Sequence, residues 1–164
     1  MTAQRTTIEL FKEEMKFSAG HFTILSPTER ERLHGHNFTV YVAITGIVGD
    51  DGLMSEYGAF KRILFDACRG LNEYFLLPGE SPHLTIREEG DHLFATFNGE
   101  VIPFLRRDVK ILPIRNVTIE ELARWFAHDL VDGGRLVTDD VEALVVKVAS
   151  GPGQYASYEW RRAQ

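Results

Sequence analysis

Three histidines in the first quarter of the 164-residue chain carry the strongest chemical signal. They are His21 in Phe17-Ser18-Ala19-Gly20-His21, and His34 and His36 in Leu33-His34-Gly35-His36-Asn37. Side chains on a strand alternate with period two, so a His-x-His pair presents both imidazoles on one face, and a third histidine from another strand completes a facial set. Three neutral imidazoles leave one position of a tetrahedral Zn²⁺ open to water or substrate. Zn²⁺ ranks ahead of iron or copper because nothing in the pattern suggests redox work. A single histidine on an apolar face reads first as a hydrogen-bonded core residue. Burying three without a shared partner costs about 1 to 3 kcal/mol each, and one ion satisfies a nitrogen on all of them. The pattern therefore points to a metal-dependent enzyme. His83, His92 and His128 lack such spacing and read as surface residues.

Only two residues separate Glu31 from His34, and it stands in the run Glu29-Arg30-Glu31-Arg32. Glu29, Arg30 and Arg32 read as a solvated face. Glu31 reads either as one more solvated charge or as a general base, since its carboxylate can reach the open side of the metal and take a proton from a bound hydroxyl or an adjacent carbon.

The elements that must hold these groups follow from periodicity. Ile8 to Phe22 reads as one long strand with Met15, Phe17, Ala19 and His21 on a shared face. After the polar loop from Ser26 to Arg32, a second strand puts His34, His36, Phe38, Val40, Val42 and Ile44 together. Phe60, Ile63, Leu64, Ala67 and Leu71 recur at helical spacing, so roughly Ser55 to Arg69 is an amphipathic helix that Gly70 ends. Cys68 reads there as a small, half-buried residue and not as a nucleophile. Asn72 and Glu73 form a polar loop beyond it. His83 to Phe104 reads as a β-meander turning at Gly90-Asp91 and, by a type I′ signal, at Asn98-Gly99. Thr118-Ile119-Glu120-Glu121 has capping-box form and opens a second helix that Gly133-Gly134 stops. Glu120, in its first turn, either complements the helix dipole or binds a ligand. Val141 to Val148 and Tyr155 to Trp160 read as a closing hairpin around Gly151-Pro152-Gly153.

Length and near-average composition suit a single domain over residues 1–164. A net charge of −6 disfavours nucleic acid or an anionic membrane as the main partner, leaving a small-molecule substrate. The lone cysteine excludes an intramolecular disulfide framework, and no apolar run is long enough to span a bilayer. With no signal-peptide order at the N-terminus, a cytoplasmic protein is expected.

Phe17-Ser18-Ala19-Gly20-His21, Leu33-His34-Gly35-His36-Asn37-Phe38 and Asn116-Val117-Thr118-Ile119-Glu120 together resemble the 6-pyruvoyltetrahydropterin synthase and 6-carboxytetrahydropterin synthase family. The resemblance covers essentially the whole chain. It implies the α+β tunnelling fold: an antiparallel four-stranded sheet with two helices on one face, here with an inserted small β-meander. It also implies trimers closing into a barrel and pairing into a homohexamer, with pterin-type substrates bound between subunits and Zn²⁺ on the three histidines. Thr118 and Glu120 then line the ring pocket.

Family synthases carry a catalytic cysteine in the loop before the His-Gly-His segment, and the stretch Thr28 to Leu33 has none. Arg30-Glu31-Arg32-Leu33-His34-Gly35-His36 is instead similar to the type III subgroup, in which a glutamate replaces that cysteine. Phe75-Leu76-Leu77-Pro78 and Lys110-Ile111-Leu112-Pro113-Ile114 share the likeness. This subgroup cleaves 7,8-dihydroneopterin triphosphate to 6-hydroxymethyl-7,8-dihydropterin for folate biosynthesis, so the resemblance implies a zinc-dependent lyase with Glu31 as catalytic base.

Two positions depart from the family. Its Asp-His pair after the first helix falls on Asn72 and Glu73, of which Glu73 could still move a proton if buried. Its pterin-anchoring glutamate falls on Ser150. A serine hydroxyl cannot make the bidentate, charge-assisted contact of a carboxylate, a loss of about 1.5 to 3 kcal/mol. The alternative reading is a catalytically diverged zinc-containing paralogue that binds a pterin-like or purine-like ligand, or a synthase for a different substrate.

Overall fold

The computed structural model describes residues 4–54, 57–136 and 139–163. Its frame is β3 (His34–Val48), the longest strand, paired along both edges. On one edge β1 (Gln4–Leu10) runs antiparallel to its far half and β2 (Lys16–His21) to its near half. The single strand expected from Ile8 to Phe22 is therefore two. Leu10 pairs with Val42 and Phe17 with Phe38, so seven steps on the first chain face four on β3. The cause is a parity switch. Inward residues are even-numbered through Ile8 and Leu10 but odd-numbered from Met15 onward, and Lys12, Glu13 and Glu14 are extruded between them as an exposed bulge. The Met15 N–H closes it on the Lys12 carbonyl at 2.9 Å.

On the other edge β9 (Val141–Gly151) pairs with β3, and β10 (Gln154–Arg161) with β9, which completes an antiparallel frame four strands wide in which β1 and β2 share one edge of β3. Beyond β2 the sheet continues through two short parallel strands, β4 (Tyr74–Pro78) and β8 (Val109–Leu112). These carry the Phe75-Leu76-Leu77-Pro78 and Lys110-Ile111-Leu112 stretches.

α1 (Tyr57–Arg69) and α2 (Ile119–Asp132) cover one face of the sheet. Phe60 and Leu64 from α1, and Leu122 and Phe126 from α2, share a core with Phe17, Phe38, Val42 and Val146. Phe17 stacks on Phe38 at 5.0 Å and meets Phe126 at 5.8 Å. The expected helix start at Ser55 lies outside the described residues. Cys68 is fully buried, not half-buried, and burial pushes its thiol up to about 12, so it is inert as a nucleophile.

Thr118 caps α2 by accepting a hydrogen bond from the Glu121 N–H at 3.3 Å. The second half of the expected capping box does not form, because the buried Glu121 carboxylate turns to Arg115 and Arg124. At the far end Gly134, at φ +64, lets the N–H groups of Arg135 and Leu136 reach the Leu130 carbonyl. His128 proves half-buried, held between Asp132 and the Tyr158 hydroxyl.

The meander forms a separate antiparallel sheet of β5 (Leu84–Glu89), β6 (His92–Phe97) and β7 (Glu100–Leu105). Asn98 and Gly99 take φ values of 45 and 79, as the type I′ turn requires. Its apolar face has its own core, in which Leu93, Ala95 and Phe97 pack with Phe22, Ile24 and Leu77. Phe22 and Ile24 belong to the segment leaving β2 just after His21, so the meander backs the chain that carries the site.

Candidate metal centre

Antiparallel register brings the three histidines together. His21 pairs with His34 and Ala19 with His36, so all three imidazoles project from one face of the β2–β3 ladder. One donor atom from each lies within 4.8 Å of the others. His34 Nε2 and His36 Nε2 are 3.1 Å apart, against about 3.3 Å for two nitrogens on one tetrahedral zinc.

Hydrogen bonds settle which nitrogens face the centre. His21 Nδ1 lies 2.9 Å from the Val117 carbonyl and His34 Nδ1 lies 2.7 Å from the Arg32 carbonyl. A carbonyl only accepts, so both Nδ1 atoms carry protons and both Nε2 atoms keep a free lone pair. His21 Nε2 is buried with no hydrogen-bond partner among the described residues. Burial holds the His21 imidazole below its ordinary pKa, assisted by His34 and His36, against the opposing bond to Val117. A neutral imidazole with an orphaned, inward lone pair is what a metal ligand requires, so these residues fit a divalent ion.

The backbone beneath the site is bare. Gly20 pairs with Gly35 between the His21–His34 and Ala19–His36 pairs. A Cβ on Gly20 would stand 2.5 Å from the Phe75 ring, and one on Gly35 would stand 3.0 Å from the Ala19 carbonyl. The intervening glycine of His-Gly-His is thereby explained by close packing on the reverse face.

Glu31 comes to this centre. Its N–H donates to the Thr23 carbonyl at 2.9 Å, and its Oε2 accepts from the Thr23 N–H at 3.1 Å and lies 3.7 Å from His34 Nε2. Burial pushes its carboxyl up, but the Thr23 bonds with His34 and His21 outweigh that and hold it below the usual range. At neutral pH it is a carboxylate, the form a base must have. Glu29 and Arg32 are exposed, as expected, but Arg30 is not: its guanidinium lies over the Phe22 ring and is half-buried. Phe97 and Glu100, which hold its outer side, are distant in sequence, so no local pattern revealed it.

Asn116 ties the chain leaving β2 to the start of α2. Its Oδ1 accepts from the Ile24 N–H at 3.0 Å and its Nδ2 donates to the Ile24 carbonyl at 2.8 Å. Thr118 follows Val117, which orients His21, while Glu120 is exposed in the first turn of α2. Ser150 is half-buried on β9, beside Ala149, which pairs with Thr39 of β3. Asn72 Oδ1 accepts from the Ser18 N–H at 2.9 Å. Glu73 is exposed, with φ 65, and lines a groove of ≈ 500 Å³ with Ser18, His36, Asn37 and Asp108.

A family model described as 6-pyruvoyl tetrahydropterin synthase matches residues 10–161. The chain belongs to this family. A Methanocaldococcus jannaschii member, provisionally named 6-carboxy-5,6,7,8-tetrahydropterin synthase, is 27% identical over 146 residues, covering 88% of this chain and 89% of its own. A Plasmodium vivax 6-pyruvoyltetrahydropterin synthase superposes with a TM-score of 0.90 at 26% identity, over 97% of this chain and 99% of that one. That structure is of a variant whose altered catalytic residue is a glutamate changed to alanine. The Plasmodium falciparum synthase shares the fold, with a TM-score of 0.89 at 23% identity over 96% of this chain and 99% of its own. Family membership makes the chain a member of a group of pterin synthases, and the tunnelling fold expected from the resemblance is the fold described above.

Proposed function

We propose that this protein is a zinc-dependent lyase of the type III kind, which cleaves the side chain of a dihydroneopterin-type substrate by retro-aldol chemistry towards 6-hydroxymethyl-dihydropterin. The observation that carries the reading is the meeting of an ionised Glu31 with three converging imidazoles. A glutamate as the catalytic residue of the Plasmodium vivax synthase supports it.

Zn²⁺ held by His21, His34 and His36 supplies Lewis acidity that lowers the pKa of the substrate's side-chain hydroxyls. Glu31 takes the proton of the C2′ hydroxyl. The C1′–C2′ bond then breaks, the C2′ fragment leaves as an aldehyde, and the electron pair passes into the ring. Returning the proton to C1′ gives the hydroxymethyl product. Thr118, Glu120 and Ser150 line the ring pocket in this proposal, whereas Glu73 is exposed, so the burial on which its role as a second proton carrier depended is not met.

The assembly that fits is a homohexamer of two trimers of single-domain chains in the cytoplasm. β1 and β10 each pair along one edge only among the described residues, which leaves edges free to join copies. No helix among the described residues is long and apolar enough to cross a membrane.

The test is incubation of zinc-loaded protein with dihydroneopterin triphosphate and with dihydroneopterin, beside an authentic synthase. Release of the hydroxymethyl product, abolished in Glu31→Gln with zinc retained, is expected. No turnover where the authentic enzyme works sinks the proposal. Ser150 favours a second reading, a zinc-containing paralogue that binds a pterin-like or purine-like ligand or acts on a different substrate. In the ligand-binding case Glu31→Gln leaves binding unchanged.

A further inference from the structure

Arg30 stands between the metal-binding ladder and the meander, and its contacts go to parts of the chain that border the site. Its side chain is only 17% exposed. The guanidinium lies 5.2 Å from the Phe22 ring centroid and 6.0 Å from that of Phe97. Nη1 donates to the Glu31 carbonyl at 2.9 Å and Nη2 to the Glu100 carboxylate at 3.0 Å. Nε is buried without a hydrogen-bond partner among the described residues. A planar fork that stacks and bonds in two directions is stiff, and lysine cannot reproduce it.

The four partners come from two places. Phe22 and Glu31 lie on the chain joining His21 to His34, whereas Phe97 and Glu100 flank the Asn98-Gly99 turn of the meander. The same chain is pinned internally by the paired bonds between Thr23 and Glu31 and by the Ile24–Arg30 bridge. We propose that Arg30 is a positioning residue, which braces the Glu31 backbone against the meander and so aims the Glu31 carboxylate at the metal centre. Nη1 meets the carbonyl of Glu31 and not its carboxylate, so the role is orientation. This assigns the inserted meander a function as the abutment of the catalytic loop. It rests on Glu31 being the base, as proposed above.

Two variants test it. Arg30→Met keeps an apolar body against Phe22 and loses both hydrogen bonds. Glu100→Gln weakens the outer anchor at a side chain that is 69% exposed, so it folds even if Arg30→Met does not. In the metal-free protein, the Glu31 amide exchanges with solvent about tenfold faster in Arg30→Met while the amides of α2 are unchanged. In the zinc-loaded enzyme kcat falls about 10- to 100-fold, with KM within about twofold and full zinc content. Glu100→Gln moves both readouts the same way by less. Unchanged exchange at Glu31 in a folded variant overturns the brace, as does a loss confined to zinc content or KM. If the wild type has no lyase activity, the function proposed above fails, and the exchange measurement still decides the brace.

Discussion

Asn116 supports the site through the backbone, and Glu121 anchors the start of α2. Asn116 is bonded twice to Ile24, and its neighbour Val117 orients His21. Asn116→Ala should cost about 1 to 3 kcal/mol through the unpaired backbone groups it leaves on Ile24. It should also weaken metal binding about tenfold, because groups behind the ligands set ligand geometry. Thermal unfolding and competition with a chromophoric chelator measure the two effects. Glu121 is a question of pH. Its hydrogen bond from Arg115 and then that from Arg124, opposed by burial, lower its carboxyl to about 2. A group depressed in the folded state contributes stability above its unfolded pKa and loses it as pH falls through the folded one. Wild-type stability should therefore drop by roughly 2 to 3 kcal/mol between about pH 4.5 and 2. Urea midpoints measured against pH should show a shallower decline in Glu121→Gln.

At the scale of elements, the β2–β3 ladder is sensitive on its reverse side. Gly20→Ala forces its methyl into the Phe75 ring, and overpacking of this kind costs about 1 to 3 kcal/mol. Adding Phe75→Leu should restore most of that stability, and denaturant unfolding of the single and double variants checks the coupling. The ladder was legible in the sequence because period-two alternation states which residues share a face, and His21, His34 and His36 obey it. The parity change between Leu10 and Met15 was equally on view, yet the apolar count across it looked continuous. β4 and β8 were not legible as strands. A short apolar run such as Phe75 to Pro78 carries no periodicity, and its parallel partner lies more than thirty residues on. The contacts of Arg30, and the carbonyls of Val117 and Arg32, were silent for another reason: a backbone acceptor has no residue signature, and Glu100 is 70 positions away.

For the whole molecule, metal and fold are linked. The orphaned His21 nitrogen has no partner among the described residues, and an ion that it ligates would favour the native chain. Chelation should lower the unfolding midpoint, and free zinc at about a thousand times its dissociation constant should add roughly 4 kcal/mol. Calorimetry with and without chelator reads this directly. A midpoint indifferent to zinc would remove the metal from the site. Two cores meet around this point, one under the helices and one under the meander. Damage to either should reach the centre: Phe126→Ala, costing about 3 to 5 kcal/mol, should loosen the ladder from the helix side.

All three donors lie between positions 21 and 36, within one antiparallel pairing, whereas Val117 arrives from the other end of the domain. Contacts so close in sequence form early during folding. A refolding chain thus has its three-histidine hairpin before it has its helix layer, and an ion bound at that moment would act as a nucleus. The folding rate, and not only the final stability, should rise with zinc concentration.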